Sequence, residues 1–95
     1  MEITIRYFAI YREVTGRDRE SLEVADGTTV GDLRRELQRR YPRLEDVLAR
    51  SVYAVNRRYV PVGTTLQDGD ELVFIPPMGG GCLPRYSVHL VETGS

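Results

Sequence analysis

The sequence predicts an α+β fold in two layers, a mixed sheet of four to five strands packed on one main helix plus a short second one. Two observations carry this. Apolar residues alternate near both ends of the first eighty positions, as they do in half-buried strands, and between these stretches they recur every three or four residues, as on one face of a helix. An amphipathic helix has to bury its stripe, and a sheet in the same short chain is the surface it can cover.

Residues 2 to 10 read as the first strand, with Ile3, Ile5 and Tyr7 on one face and Glu2, Thr4 and Arg6 on the other. Thr15-Gly16 signals a turn, and SLEVADG supplies a second short strand with Leu22 and Val24 on one side, stopped by Asp26-Gly27. Together these two strands read as an opening hairpin. The period then changes. In TTVGDLRRELQRRYP, Val30, Leu33, Leu37 and Tyr41 share one helical stripe, with arginines and Gln38 opposite. Thr29 and Asp32 mark the helix start as a variant of the capping box: the hydroxyl can accept from an early amide, and the carboxylate faces the positive end of the helix dipole. Pro42 stops that helix, and its fixed φ suits the first turn of a shorter one in RLEDVLA, with Leu44, Val47 and Leu48 as the buried side.

SVYAVN is a third strand, with Val52 and Ala54, or Tyr53 and Val55, as alternative buried faces. Asn56 and the two arginines after it turn the chain into RYVPV. Asp68-Gly69 is a tight-turn pair, Glu71 to Ile75 is the last strand, and Pro76-Pro77 cannot donate ladder hydrogen bonds. The first and last strands are both strongly apolar, which suggests that they lie side by side in the middle of the sheet, the arrangement of a β-grasp. No internal repeat or low-complexity tract is visible.

Ninety-five residues make one domain with a modest core. The net charge of −1 gives no bulk attraction to nucleic acid or to an anionic membrane, so neither is expected as a partner. All 13 basic residues are arginine, which removes every lysine ammonium as a Schiff base, general base or isopeptide acceptor. One cysteine and one histidine exclude an internal disulfide and a cysteine-based zinc or iron–sulfur site, and no metal is expected. The charged, alternating start is unlike a signal peptide, and no apolar run approaches the ~20 residues of a membrane span, so the chain is expected to be soluble and cytoplasmic.

Little in the sequence looks catalytic. Glu45-Asp46, Asp70-Glu71 and the pair Asp18 and Glu20 sit where turns and helix starts place solvated acids. The three glycines lack the Lys-Ser/Thr of a P-loop, and His89 lies on the alternating stretch RYSVHLVE, where it reads as a strand-face residue. Arg34, Arg35, Arg39, Arg40 and Arg43 form a dense basic patch, read as a solvated helix face or else as a docking patch for an acidic partner or RNA. The run Gly79-Gly80-Gly81 is either a flexible linker or an end able to thread a channel too narrow for side chains. Its place directly after the last strand and two stiffening prolines favours the second.

Four stretches, ITIRYFAIYREVTG, DGTTVGDLRRELQRRYP, AVNRRYV and LQDGDELVFIPPMGGG, resemble the sulfur-carrier small subunits of molybdopterin synthase, a ubiquitin-like β-grasp family. The resemblance spans residues 1–81, the domain it defines. It implies a non-catalytic carrier rather than an enzyme acting alone, serving molybdenum cofactor synthesis. The carboxylate of Gly81 would be adenylated with ATP by a ubiquitin-activating-type adenylyltransferase and converted to a thiocarboxylate. The large synthase subunit would then hold the tail while sulfur passes to a pterin precursor. No cofactor bound by the carrier itself is implied. Carried over residue by residue, Gly81 bears the sulfur and Gly80 threads beside it, while Pro76, Pro77, Met78 and Gly79 meet partners. Phe74 matches a position where the family places a partner contact, with a core role equally open from its pattern. Carriers of this kind also feed tRNA thiolation, thiamin or cysteine synthesis or act as protein modifiers, and a non-catalytic interaction module is the alternative of another class.

One departure stands out: Gly81 is in an amide bond to Cys82, and a thiocarboxylate needs a free end. Residues 82–95 are therefore a pro-segment to be trimmed, a remnant of fusion with the large subunit, or the mark of a relative that lost the chemistry. Cys82 is a candidate processing residue, since its thiol could attack the preceding carbonyl and form a thioester. Residues 84–92 are expected to add a strand at a sheet edge, burying Tyr86, Val88 and Leu90.

Overall fold

The computed structural model describes residues 1–77. The domain boundary at residue 81 and the strand expected over 84–92 lie outside the described residues. The elements run β1 (Glu2–Arg6), α1 (Ile10–Thr15), β2 (Arg19–Glu23), α2 (Val30–Arg40), a 3₁₀ turn (Pro42–Leu44), α3 (Glu45–Arg50), β3 (Val52–Val55), β4 (Arg58–Val60) and β5 (Glu71–Ile75). The sheet order is β2-β1-β5-β3-β4. The first and last strands pair in parallel at its centre, with Thr4 beside Glu71 and Arg6 beside Val73, and every other pairing is antiparallel. This is the β-grasp arrangement expected from the apolar character of both strands.

The opening differs from expectation in one respect. The first strand ends at Arg6, not near residue 10, and the link to β2 is the helix α1 rather than a hairpin turn. Ala9 takes a positive φ of 52° that breaks the extended run, and Gly16 closes the helix in the left-handed conformation, its N–H donating to the Arg12 carbonyl. The alternation therefore gives way to a helical turn that drops Tyr11 into the core at 0% exposure. The two strands still pair, from Glu2 opposite Glu23 to Arg6 opposite Arg19.

The main helix begins as the sequence indicates. The Thr29 hydroxyl accepts from the Asp32 amide at 3.2 Å, and the Asp32 carboxylate accepts from the Thr29 amide at 2.9 Å. Val30, Leu33 and Leu37 then lie buried against Ile3 and Ile5 of β1 and Leu72 and Phe74 of β5, with Leu44, Leu48 and Leu66 completing the layer. Tyr7 reaches through this core to donate to Glu20 on β2 at 2.8 Å. Burial, together with that carboxylate, pushes the Tyr7 phenol well above its ordinary range, so it stays a donor. Glu20 also receives Arg40 at 3.0 Å and Arg17 at 3.3 Å, which ties the edge strand to the end of α2.

The arginine patch on α2 is partly paired. Arg35 pairs with Asp32, Arg39 and Arg40 both pair with Glu36, and Arg34 donates to the Tyr53 hydroxyl at 2.9 Å. Such pairing is what a solvated helix face looks like, while four arginines against two carboxylates leave α2 itself with a net charge of +2.

Replacing the cap hydroxyl by Thr29→Ala should cost about 1 kcal/mol in urea unfolding without changing the denaturant slope. Acidification tests the charged pairs. Asp32 is held below its ordinary value first by the Thr29 amide, and Glu36 first by Arg39, bonds made only in the folded chain. Their stabilisation is present above the unfolded carboxylate values near ~4 and is lost as pH falls through the lower folded ones. Urea titrations should show stability dropping below about pH 4, and less steeply in Asp32→Asn.

Candidate functional site

β5 does not alternate: Leu72, Val73, Phe74 and Ile75 are all buried. A strand with neighbours on both sides and apolar packing on both faces can have this composition. Leu72 and Phe74 face the helices, where the Phe74 ring centre lies 5.7 Å from Tyr11 and 5.8 Å edge-on from Tyr53. The structure thus resolves the two roles left open for Phe74 in favour of the core. At 1% exposure it offers no surface to a partner, and its part is to hold the strand that carries the tail.

The next position faces the other way. Ile75 and Val73 pack with Ala54 and the half-buried Phe8 on the sheet face that no described helix covers. Cross-strand pairing sets Val52 beside Ile75 and Tyr59 beside Ala54 on the same face. Val52 and Tyr59 are 50% and 42% exposed, so these two apolar side chains are open to contact, whereas Ala54, Val73 and Ile75 are buried. Arg6 borders this cluster, its guanidinium 5.1 Å above the Phe8 ring and 4.0 Å from Glu71.

From this face the chain leaves through Pro76, half-buried, and Pro77, exposed. Met78, Gly79, Gly80, Gly81 and Cys82 lie outside the described residues. The structure does fix their point of departure, the end of a central strand paired to β1 in parallel and to β3 antiparallel. Such a strand has no freedom to swing, so a tail continuing from it starts from a rigid base. The site as described can present a terminus and offer an apolar face beside it. Among the described residues no cluster of His, Cys, Asp and Glu is arranged to hold a metal.

The open face was not singled out from sequence. Its signal was the unbroken run LVFI, which lacks the alternation of a strand with one wet side and so implies apolar positions on both faces. The paired alternatives for residues 52–55 had the same cause. Tyr53 and Val55 join the helix side, while Ala54 is fully buried on the other.

Comparison with known proteins places this architecture. The ThiS family matches residues 5–81. The molybdopterin synthase sulfur carrier subunit of Mycobacterium tuberculosis is 44% identical over 82 residues, covering 85% of this chain and 99% of that protein. The solution structure of the Haloferax volcanii HVO 2177 protein superposes with a TM-score of 0.77 at 35% identity, over 85% of this chain and 87% of that one. A chain in the complex of subunits 1 and 2 of molybdopterin-converting factor from Helicobacter pylori superposes with a TM-score of 0.62 at 26% identity, over 85% of this chain and 100% of that one.

The assignment of Phe74 to the core has a direct test. Phe74→Ala should lower stability by about 3–5 kcal/mol, whereas Val52→Ala on the open face should change it by less than about 0.5 kcal/mol, both read from urea midpoints.

Proposed function

The chain belongs to the ThiS family, and on that footing we propose that it is a sulfur carrier of molybdenum cofactor synthesis, bearing a thiocarboxylate on Gly81 once residues 82–95 are removed. The observation that carries the reading is the central strand β5, locked on both sides and running through Pro76-Pro77 straight into Met78 and the three glycines. A carrier needs a terminus that reaches into a partner's site while the body stays fixed outside it, and this connection supplies both.

Each part of the chain has a physical task. A carboxylate is a poor acyl donor, so Gly81 has to be activated, here by adenylation with ATP on an adenylyltransferase partner. A sulfur nucleophile can then displace AMP from the carbonyl. Gly80 and Gly81 suit a narrow channel because the absence of Cβ lets the backbone lie close to its walls. Pro76 and Pro77 limit the backbone freedom lost when the tail is threaded. The exposed side chains of Val52 and Tyr59, on the sheet face of Ile75, are the surface on which a larger synthase subunit would dock, close to where the tail departs. The relative in the Helicobacter pylori structure stands in complex with its subunit 2. No described helix is long and apolar enough to cross a membrane, and a cytoplasmic location is part of the proposal.

The amide bond between Gly81 and Cys82 makes hydrolysis after Gly81 a required earlier step. The intact mass of the protein from its native host tests this. A species ending at Gly81, with a fraction heavier by ~16 Da as sulfur replaces oxygen, is the expected result. A full-length mass under cofactor-producing conditions would overturn it in favour of a non-catalytic interaction module. For the docking face, Val52→Asp should weaken binding to the large subunit tenfold or more, about 1.4 kcal/mol, with little change in the midpoint of unfolding.

A further inference from the structure

The outer face of β1 and β2 sets like charges against each other. In their register Ile3 with Leu22 and Ile5 with Glu20 turn toward the helices. Glu2 with Glu23, Thr4 with Ser21 and Arg6 with Arg19 therefore turn the other way, onto the open face. Like charges directly opposite on a sheet repel, so each end pair costs stability unless another group compensates it. At the glutamate end the ammonium of Met1 lies 4.0 Å from Glu23, one positive charge for two carboxylates. At the arginine end, Arg6 lies 4.0 Å from the Glu71 carboxylate and over the Phe8 ring, contacts that hold its guanidinium in place. Arg19 is exposed, and among the described residues no carboxylate pairs with it.

The arginine pair stands where the last strand leaves the sheet. Arg6 is the register partner of Val73, and because β1 and β5 run parallel, Pro76 and Pro77 depart from that same end. Two guanidinium forks on adjacent strands, their Cβ atoms ~5 Å apart, can share the oxygens of one carboxylate or take one carboxylate each. A polyanion fits less well. Glu71 lies beside Arg6, and Glu2 and Glu23 follow four residues along the same strands, about 13 Å at ~3.3 Å per residue. A row of phosphates laid along these strands would run from the arginines onto carboxylates.

We propose that Arg6 and Arg19 receive an aspartate or glutamate side chain of the protein that docks on the open face, and that this contact sets the direction in which the partner sits. Glu2 and Glu23 repel the same acidic group, so a partner turned end for end meets like charge where it needs opposite charge. The favoured direction places the partner's acidic rim beside the departing strand end. The repulsion carried by the free chain is then relieved in the complex. This inference rests on the docking reading given above and adds to it the chemistry of the partner's rim.

The chain and its variants, expressed in the native host and purified, are mixed with the large synthase subunit of that host, and association is followed by stopped flow at ~20 mM and ~500 mM salt. Arg19→Glu should associate about tenfold or more slowly at low salt, with the deficit shrinking at high salt, while Arg19→Lys keeps most of the rate. The urea midpoint of Arg19→Glu should hold or rise, because a repulsive pair becomes an attractive one. Arg43→Glu makes the same change of net charge at an exposed position of the 3₁₀ turn, in the helical layer, and should alter the rate by less than about twofold. Equal slowing by Arg19→Glu and Arg43→Glu, or slowing by neither, would overturn the proposal and leave the docking reading intact. An unsubstituted chain that fails to bind the subunit would overturn both. Loss of self-association in Arg19→Glu, with binding to the subunit unchanged, would assign the arginine pair to a second copy of the chain and overturn the proposal.

Discussion

The parallel pairing of β1 with β5 is the constraint on which the rest depends. It joins the two ends of the domain at the centre of the sheet, with Ile5 beside Leu72 and Arg6 beside Val73. A central strand loses contact with water on its edges and on both faces, so it accepts only apolar residues along its length, and β5 has them from Leu72 to Ile75. That requirement makes the strand stiff. It also turns Ile75 and Val73 toward a face that the helices do not reach, beside the exit of the tail. The fold, the open face and the rigid departure point are therefore three consequences of one pairing.

The described helices lie on one side of the sheet only. α2, the 3₁₀ turn and α3 all lie on the side of Ile3, Ile5, Leu72 and Phe74. Their charges are satisfied locally, by the Thr29–Asp32 capping box and by Glu36 and Asp32 beneath the arginines. α2 still carries four arginines against those two carboxylates, with Arg40 also reaching Glu20 on β2. For the proposed docking, the sheet offers the apolar side chains of Val52 and Tyr59, with Arg6 over Phe8 as a charged rim.

Much of the fold was legible because it is written in periodicity. The capping box, the stripe of Val30, Leu33 and Leu37, the stop at Pro42 and the central place of the outermost strands can all be read from spacing and turn chemistry alone. α1 could not be read in that way. Phe8, Ile10 and Tyr11 continue an apolar run that fits a strand as well as a helix, and the break comes from the backbone of Ala9, a residue with no preference for positive φ. The role of Phe74 was undecided for a similar reason. In an unbroken apolar strand nothing local says which residues face the helices, and the answer depends on register with β3, a long-range fact. The open face needed both pieces of information at once.

Placing the final strand at the centre of the sheet also makes the folded state a test of an intact chain. A protease that trims too far, or a transcript that ends too soon, removes part of β5 and with it the pairing of β1 to β3 through the middle of the sheet. Such a chain cannot complete its core, and cellular degradation takes unfolded chains first. Every molecule that persists therefore retains the strand from which its tail departs. For the carrier proposed above, the fold would act as quality control on the strand that leads to Gly81.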